Sequence, residues 1–118
     1  TERYPHAMVE ITGGEPLLQE AVYPLMQKLL DNGRTVLLET NGSIPLAKVP
    51  DPVIKIVDVK CPGSGMHSHM DINNLQHLDS NDELKFVLVD RKDYEWSVDF
   101  LSRNDLLDFT IWQEWKNI

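Results

Sequence analysis

The chain has 118 residues, 42% of them hydrophobic, which is enough for one domain with a modest core. Nineteen acidic residues against eleven basic ones give a formal net charge of -8, distributed along the chain. This excess of negative charge argues against binding to nucleic acid or to an anionic membrane surface, because both modes of binding depend on Lys and Arg.

Membrane and disulfide chemistry are also disfavoured by the sequence. No apolar run approaches the roughly 18 residues of a membrane span, and the first residues, TERYPHAMVE, lack the pattern of a signal peptide. We therefore expect a cytoplasmic protein. Cys61 is the single cysteine, so the chain predicts neither an internal disulfide nor a metal site built from several of its own cysteines.

Strand and helix patterns alternate from the N-terminus onward. Residues 7–12 (AMVEIT) predict a first strand, and residues 16–33 predict a helix with apolar side chains at three- and four-residue steps. Pro24 falls inside this helical pattern, so we expect a kink there. Residues 35–40 (TVLLET) predict a second strand, and the prolines of residues 43–52 leave room for one short helical turn.

The second half of the chain continues the alternation. The polar segment 66–82 has weak helical character around residues 71–78, whereas residues 91–104 have an apolar helical face. This order predicts an α/β fold of parallel βα units, with strands buried on both faces. Three further strands are predicted, at residues 53–60, 83–90 and 108–115.

Glycines and polar residues follow three of the predicted strands. Parallel sheets bind ligands at the carboxyl ends of their strands, so these segments should share one rim. Taken singly, each is explained as well by turn chemistry or by an ion pair at a strand end. Together they predict binding of a polar small molecule at the rim. The three segments are residues 12–15 (TGGE), 39–42 (ETNG) and 58–63 (DVKCPG).

Four segments occur in the order and wording of a known family: ITGGEPLLQ, LLETNGS, VDVKCPGSG and ELKFVLVD. The Gly-Gly-Glu-Pro motif resembles the hallmark of the radical S-adenosylmethionine superfamily. All four segments together resemble its 7-carboxy-7-deazaguanine synthase family, over residues 7 to about 104. The resemblance implies a partial (β/α)6 barrel, of which residues 1–118 would form a single, incomplete core domain.

The resemblance also implies an activity, its cofactors and its partners. In the family, a four-iron four-sulfur cluster cleaves S-adenosylmethionine reductively. With the aid of magnesium, the enzyme then converts 6-carboxy-5,6,7,8-tetrahydropterin to 7-carboxy-7-deazaguanine in queuosine biosynthesis. A pterin substrate, a carbon-nitrogen lyase reaction and a homodimer are therefore expected by analogy with the family.

The first strand end is implied to contact both cofactor and substrate. Gly13, Gly14 and Glu15 match the family segment whose backbone receives the methionine amino group of S-adenosylmethionine. Glycine suits this role, because a carbonyl can approach an ammonium group only where no Cβ intervenes. Thr12 matches a position that faces the substrate.

The other two strand ends are implied to contact the cofactor as well. Asp58, Val59 and Lys60 match a family triplet that lies along it, where Asp58 would accept hydrogen bonds from ribose hydroxyls and Lys60 would meet a carboxylate. Glu39 and Asn41 belong to the adjacent strand end. For Glu39, a cofactor contact and a structural role as acceptor for loop amides are both open.

The chain also departs from the family pattern. The Cys-x3-Cys-x2-Cys loop that holds the cluster has no match, and Cys61 alone cannot hold such a cluster. Residues 109–118 do not show the family's usual late strand. We therefore predict an internal fragment that is inactive by itself. The alternatives are a non-catalytic βα binding or interaction module and another radical S-adenosylmethionine activating enzyme.

Two further patterns are interpreted as structural. His67 and His69, with Asp71, could be imagined as zinc ligands, but their polar loop favours solvated histidines. The three tryptophans could stack on nucleic acid bases, but the acidic chain favours packing in the core or at a sheet edge. They are Trp96, Trp112 and Trp115.

Overall fold

The computed structural model describes residues 8–64 and 70–116, which form a parallel β-sheet with two α-helices and three short 3-10 helices. This confirms the predicted α/β fold. The strands are β1 (Met8–Ile11), β2 (Thr35–Thr40), β3 (Ile54–Val59), β4 (Glu83–Leu88) and β5 (Thr110–Trp115). The α-helices are α1 (Val22–Asp31) and α2 (Arg91–Arg103), and the 3-10 helices are Pro16–Leu18, Pro62–Ser64 and Ile72–His77.

The five strands lie side by side in chain order, and every neighbouring pair is parallel. Each parallel pair is joined by a crossover connection, and such connections are almost always right-handed. Because the strand order never reverses, right-handed crossovers place the connecting segments on the same face of the sheet. The carboxyl ends of the strands therefore lie along one edge of the sheet. The partial (β/α)6 barrel that the family resemblance implies stays a prediction.

The core lies on one face of this sheet. Alternate residues of β2, β3 and β4 are buried, and the residues between them are only partly covered. The prediction that the strands are buried on both faces is wrong, because the described helices cover one face and leave the other open. Each fully buried Leu or Phe contributes roughly 1.5–3 kcal/mol. The core includes Met26 of α1, Leu101 of α2 and, from the strands, Val36, Leu38, Val57, Val59, Leu84, Phe86 and Leu88.

The helix predicted over residues 16–33 is divided. Residues Pro16–Leu18 form a 3-10 helix, and α1 begins only at Val22. Pro24 therefore lies in the first turn of α1, where the missing N–H would have no partner inside the helix. The expected kink at Pro24 is wrong, since the break in the helical pattern comes before Val22.

A buried asparagine fixes the long connection between β2 and β3. Asn74 accepts a hydrogen bond from the Leu46 N–H at 2.8 Å and donates to the Gly42 and Ile44 carbonyl oxygens at 2.8 and 2.9 Å. It lies in the 3-10 helix Ile72–His77, the region with weak predicted helical character. This side chain satisfies backbone groups that a loop would otherwise bury without partners.

At the amino end of β3, Lys55 and Asp82 form a buried pair. The Lys55 Nζ lies 3.4 Å from Asp82 Oδ2, and the Lys55 N–H donates to Asp82 Oδ1 at 2.8 Å. Asp82 also accepts from the Asp79 N–H at 2.8 Å. The pair joins the start of β3 to the turn before β4. Within the described residues, no helix is long and apolar enough to cross a membrane.

Replacing Asn74 with Ala should lower the free energy of unfolding by about 1–3 kcal/mol, because the Leu46 N–H and the Ile44 carbonyl oxygen lose the Asn74 side chain as a partner, whereas the Gly42 carbonyl oxygen keeps its hydrogen bond from the Asp71 N–H. Urea denaturation followed by circular dichroism measures the change. Asn73→Ala is the matched control, since the neighbouring Asn73 is exposed. Equal stability of the two variants would show that the Asn74 hydrogen bonds do not hold the connection.

Candidate functional site

The carboxyl ends of β1, β2 and β3 surround a cavity of about 210 Å³. Parallel pairing brings the three strand ends together, as the sequence predicted for the rim of the sheet. Of the nine residues expected at the site, all except Val59 line this cavity. The lining residues are Thr12, Gly13, Gly14, Glu15, Pro16, Glu39, Thr40, Asn41, Asp58 and Lys60.

Val59 faces the other side of the sheet. Its side chain is 2% exposed and belongs to the core, because successive residues of a strand point to opposite faces. A ligand in the cavity could meet Val59 only through its backbone. The two residues on either side of it, Asp58 and Lys60, point the other way and line the cavity.

The Glu15 carboxylate connects the first two strand ends. Its Oε1 accepts hydrogen bonds from Thr40 Oγ1 and the Asn41 N–H, both at 2.8 Å. Its Oε2 accepts from the Leu17 N–H at 3.0 Å, which caps the 3-10 helix. The structural acceptor for loop amides is therefore Glu15. Glu39, for which this role was open from the sequence, lines the cavity beside it.

The two glycines present an open backbone to the cavity. Gly13 has φ +121°, a conformation that other residues adopt only with strain. A Cβ added to either Gly13 or Gly14 would meet no heavy atom within 4 Å. The space beside this backbone is therefore free of the chain's own described atoms, and a ligand group could approach it.

Asp58 and Lys60 form an ion pair at the opposite wall. The Lys60 Nζ donates to Asp58 Oδ2 at 2.6 Å. The other oxygen, Asp58 Oδ1, is buried and has no hydrogen-bond partner among the described residues. A buried acceptor without a partner is unfavourable by roughly 1–3 kcal/mol, so a donor from a ligand would stabilise it.

A second cavity of about 450 Å³ lies on the open face of the sheet. Lys85 stands there between two carboxylates, with its Nζ 3.6 Å from Glu39 Oε1 and 3.6 Å from Glu114 Oε2. Burial lowers the pKa of Lys85, but the attraction of Glu39 and Glu114 outweighs it, and the net pKa is raised. The lining residues are Glu39, Ile56, Glu83, Lys85, Trp112, Gln113 and Glu114.

Lys85 is not among the site residues predicted from the sequence. In ELKFVL, residues Leu84, Phe86 and Leu88 alternate with Glu83, Lys85 and Val87. This alternation signals one open face. Glu39 lines both cavities and so joins the new residue to the predicted rim.

No family model matches the chain. Curated relatives do. A 7-carboxy-7-deazaguanine synthase of Koribacter versatilis is 52% identical over 103 residues, which are 86% of this chain and 46% of the relative. Synthases of the same name from Chlorobaculum tepidum and Methanospirillum hungatei are 38% and 44% identical, over 84% and 79% of this chain and 46% and 39% of the relatives.

The chain is related to the 7-carboxy-7-deazaguanine synthases. The resemblance to this radical S-adenosylmethionine family, predicted from four motifs, is thereby confirmed. The chain spans about half the length of the curated relatives it matches. The roles of the individual cavity residues stay predictions.

Cys61 is not available as a metal ligand in this arrangement. The residue is 1% exposed, and burial together with the negative charges of Asp93, Asp58 and Asp90 raises the pKa of its thiol to about 12. A thiol binds metal as the thiolate, so this environment opposes ligation. In residues 8–64 and 70–116, no group of three His, Cys, Asp or Glu side chains could hold a metal ion.

The histidines and tryptophans considered from sequence have different outcomes. His67 and His69 lie outside the described residues, and Asp71 caps the 3-10 helix by accepting from the Asn73 N–H. Among the tryptophans, Trp96 packs on the core, 6.5 Å from Phe86 between ring centroids. The other two lie on β5, where Trp112 donates to Glu83 Oε1 at 2.6 Å and Trp115 stacks on Tyr94. The prediction of core packing is confirmed for Trp96, whereas Trp112 and Trp115 lie on the edge strand β5 and are 57% and 56% exposed.

Glu15→Gln should lower the free energy of unfolding by about 1–3 kcal/mol. If the amide oxygen stays with Thr40 and Asn41, the amide nitrogen must face the Leu17 N–H, and that donor loses its acceptor. Urea unfolding monitored by tryptophan fluorescence measures the loss. The exposed Glu20→Gln is the control, and a matching value for the two variants would contradict the bridging role of Glu15.

Proposed function

We propose that the cavity at the three strand ends binds S-adenosylmethionine. The observation that carries this proposal is Asp58 Oδ1, a buried acceptor that lacks a partner in the described chain, on a residue that lines the same cavity as the open backbone of Gly13 and Gly14. A ligand with N–H or O–H donors would satisfy that oxygen. The methionine ammonium and the ribose hydroxyls of S-adenosylmethionine are such donors.

The remaining groups of the cavity suit the rest of this ligand. The backbone at Gly13 and Gly14 is open enough for carbonyl oxygens to accept from the ammonium group. The Lys60 ammonium, about one third exposed, can meet the methionine carboxylate without leaving Asp58. The donor and acceptor pattern therefore fits a zwitterionic amino acid attached to a ribose.

We further propose that the intact protein is a cytoplasmic 7-carboxy-7-deazaguanine synthase. The intact protein is the longest polypeptide in which this sequence occurs. The curated relatives that bear this name support the proposal. The intact protein would then be a lyase of queuosine biosynthesis that acts on 6-carboxy-5,6,7,8-tetrahydropterin. The larger cavity is of the size that small-molecule ligands occupy, and it would receive the pterin beside Glu39, which lines both cavities. Thr12 lines the smaller cavity, and its contact with the substrate stays a prediction of the family resemblance.

The iron-sulfur cluster does not fit the residues present. The sequence contains one cysteine, and the buried, high-pKa thiol of Cys61 opposes metal binding. We propose that the cluster ligands, and with them the magnesium site, are supplied by the part of the intact protein outside this sequence. When bound, the cluster would supply the electron that cleaves S-adenosylmethionine. The 118-residue chain alone should accordingly be inactive.

Gly14→Ala tests the glycine wall. The added methyl group would enter the open space of the cavity without touching the chain, so the free energy of unfolding should stay within about 0.5 kcal/mol of the original. The affinity for S-adenosylmethionine should fall about tenfold or more, as measured by isothermal titration calorimetry on the intact protein. Gln19→Ala, an exposed change outside the cavity, is the control. Unchanged affinity in Gly14→Ala would rule out the backbone contact.

The proposed reaction has a direct assay. After anaerobic reconstitution of the cluster, the intact protein supplied with S-adenosylmethionine and 6-carboxy-5,6,7,8-tetrahydropterin should yield 7-carboxy-7-deazaguanine, detected by mass spectrometry. The 118-residue chain under the same conditions should yield none. A fully reconstituted intact protein that binds S-adenosylmethionine but forms no such product would exclude this substrate.

A further inference from the structure

Asp93 joins the ends of two strands without lining either cavity. It lies in the first turn of α2 and is 1% exposed. Its Oδ1 accepts a hydrogen bond from the Gly63 N–H at 2.8 Å, and its Oδ2 accepts from the Val89 N–H at 2.9 Å. Gly63 follows β3 and Val89 follows β4, so one carboxylate connects the two loops.

The position of this carboxylate is fixed from both sides. The Asp93 N–H donates to Asp90 Oδ1 at 2.9 Å, which caps α2 and orients its first turn. On the loop side, a Cβ at Gly63 would lie 2.5 Å from Asp93 Oδ2, so the loop approaches this closely only because residue 63 is glycine. The contact therefore tolerates little displacement.

The anchored loop continues directly from the cavity wall. Gly63 is three residues beyond Lys60, and the intervening Cys61 is 1% exposed. Asp93 holds Gly63 and Asp58 pairs with Lys60, so this short segment is held at both of its ends. Asp58 and Lys60 form the wall with the unsatisfied acceptor. Release of Gly63 would let the Lys60 backbone move and would disturb the Asp58–Lys60 pair.

We propose that Asp93 is a positioning residue that holds the Asp58–Lys60 wall in the geometry that binds S-adenosylmethionine. This inference rests on the proposed function of the cavity. It assigns no contact with the ligand to Asp93 itself. Its effect should therefore be on ligand affinity and on the order of residues 60–63, while the chemistry of the bound ligand stays unchanged.

Asp93→Asn is the first test. An amide has one acceptor oxygen in place of two, so it can satisfy Val89 or Gly63 but not both in the present geometry. We expect Gly63 to be released, because Val89 is adjacent to α2 in the chain. The dissociation constant for S-adenosylmethionine should rise about tenfold, as is typical when an outer residue that orients a binding group is lost. In the intact protein, KM for this ligand should rise while kcat is retained.

Asp82→Asn is the matched control. Asp82 is also 1% exposed and also accepts two backbone N–H groups, but it lies at the amino end of the strands. Both variants should unfold at lower temperature, and only Asp93→Asn should lose affinity. If either fails to fold, Gly63→Ala replaces the first, because it displaces the loop from Asp93, and the double variant Asp82→Asn/Lys55→Met replaces the control.

Equal affinity losses in the two variants, or none in Asp93→Asn, would overturn the positioning role. Hydrogen exchange of the Lys60 and Gly63 amides gives a second readout, which should accelerate in Asp93→Asn and stay unchanged in Asp82→Asn. If the unaltered protein binds no S-adenosylmethionine, the proposed function is wrong. In that case the exchange rates alone test whether Asp93 holds residues 60–63 in place. Equal rates in the unaltered protein, Asp93→Asn and Asp82→Asn would refute that role.

Discussion

The fold of the cavity depends on carboxylates that accept backbone N–H groups from separate loops. Glu15 is the main case, because two of its three hydrogen bonds connect the loop after β1 to the end of β2, and the third, from the Leu17 N–H, caps the 3-10 helix in that loop. Asp93 connects the loops after β3 and β4 in the same way. Parallel strands place their carboxyl ends together, but the hydrogen-bond ladder between them ends where the strands end. These side chains supply the missing connections.

The bridging side chains leave other polar groups of the cavity uncommitted. Because Glu15 and Asn74 satisfy the loop amides, the backbone at Gly13 and Gly14 faces open space, and Asp58 Oδ1 has no partner in the described chain. Hydrogen bonds hold the loops of this site, while one of its acceptors has no partner among the described residues. Such a site is arranged in advance for a ligand. This division of roles supports the proposal of S-adenosylmethionine binding.

The sequence predicted the strands and their shared rim well, because both follow from local patterns and from parallel topology. Sequence patterns did not predict features that depend on contacts between residues far apart in the chain. The hydrogen bond between the Thr40 and Glu15 side chains joins residues 25 positions apart in the chain, and no local sequence pattern indicates it. The expected kink at Pro24 is wrong because residues Pro16–Leu18 form a separate 3-10 helix. The helical pattern therefore breaks before Val22, and Pro24 falls in the first turn of α1. Lys85 was missed because its strand was predicted to be buried on both faces, whereas only alternate residues of β4 are buried.

The one-sided burial of the sheet has an evolutionary consequence. Along β3 and β4, residues that pack the core alternate with residues on the open face of the sheet, so a substitution of Lys85 can leave the packing of its neighbour Phe86 unchanged. Substitutions at cavity positions such as Ile56 or Trp112 can change which molecule is preferred while the hydrophobic packing is inherited intact. Ligand preference can thus diverge among descendants of one ancestral sheet with little loss of stability.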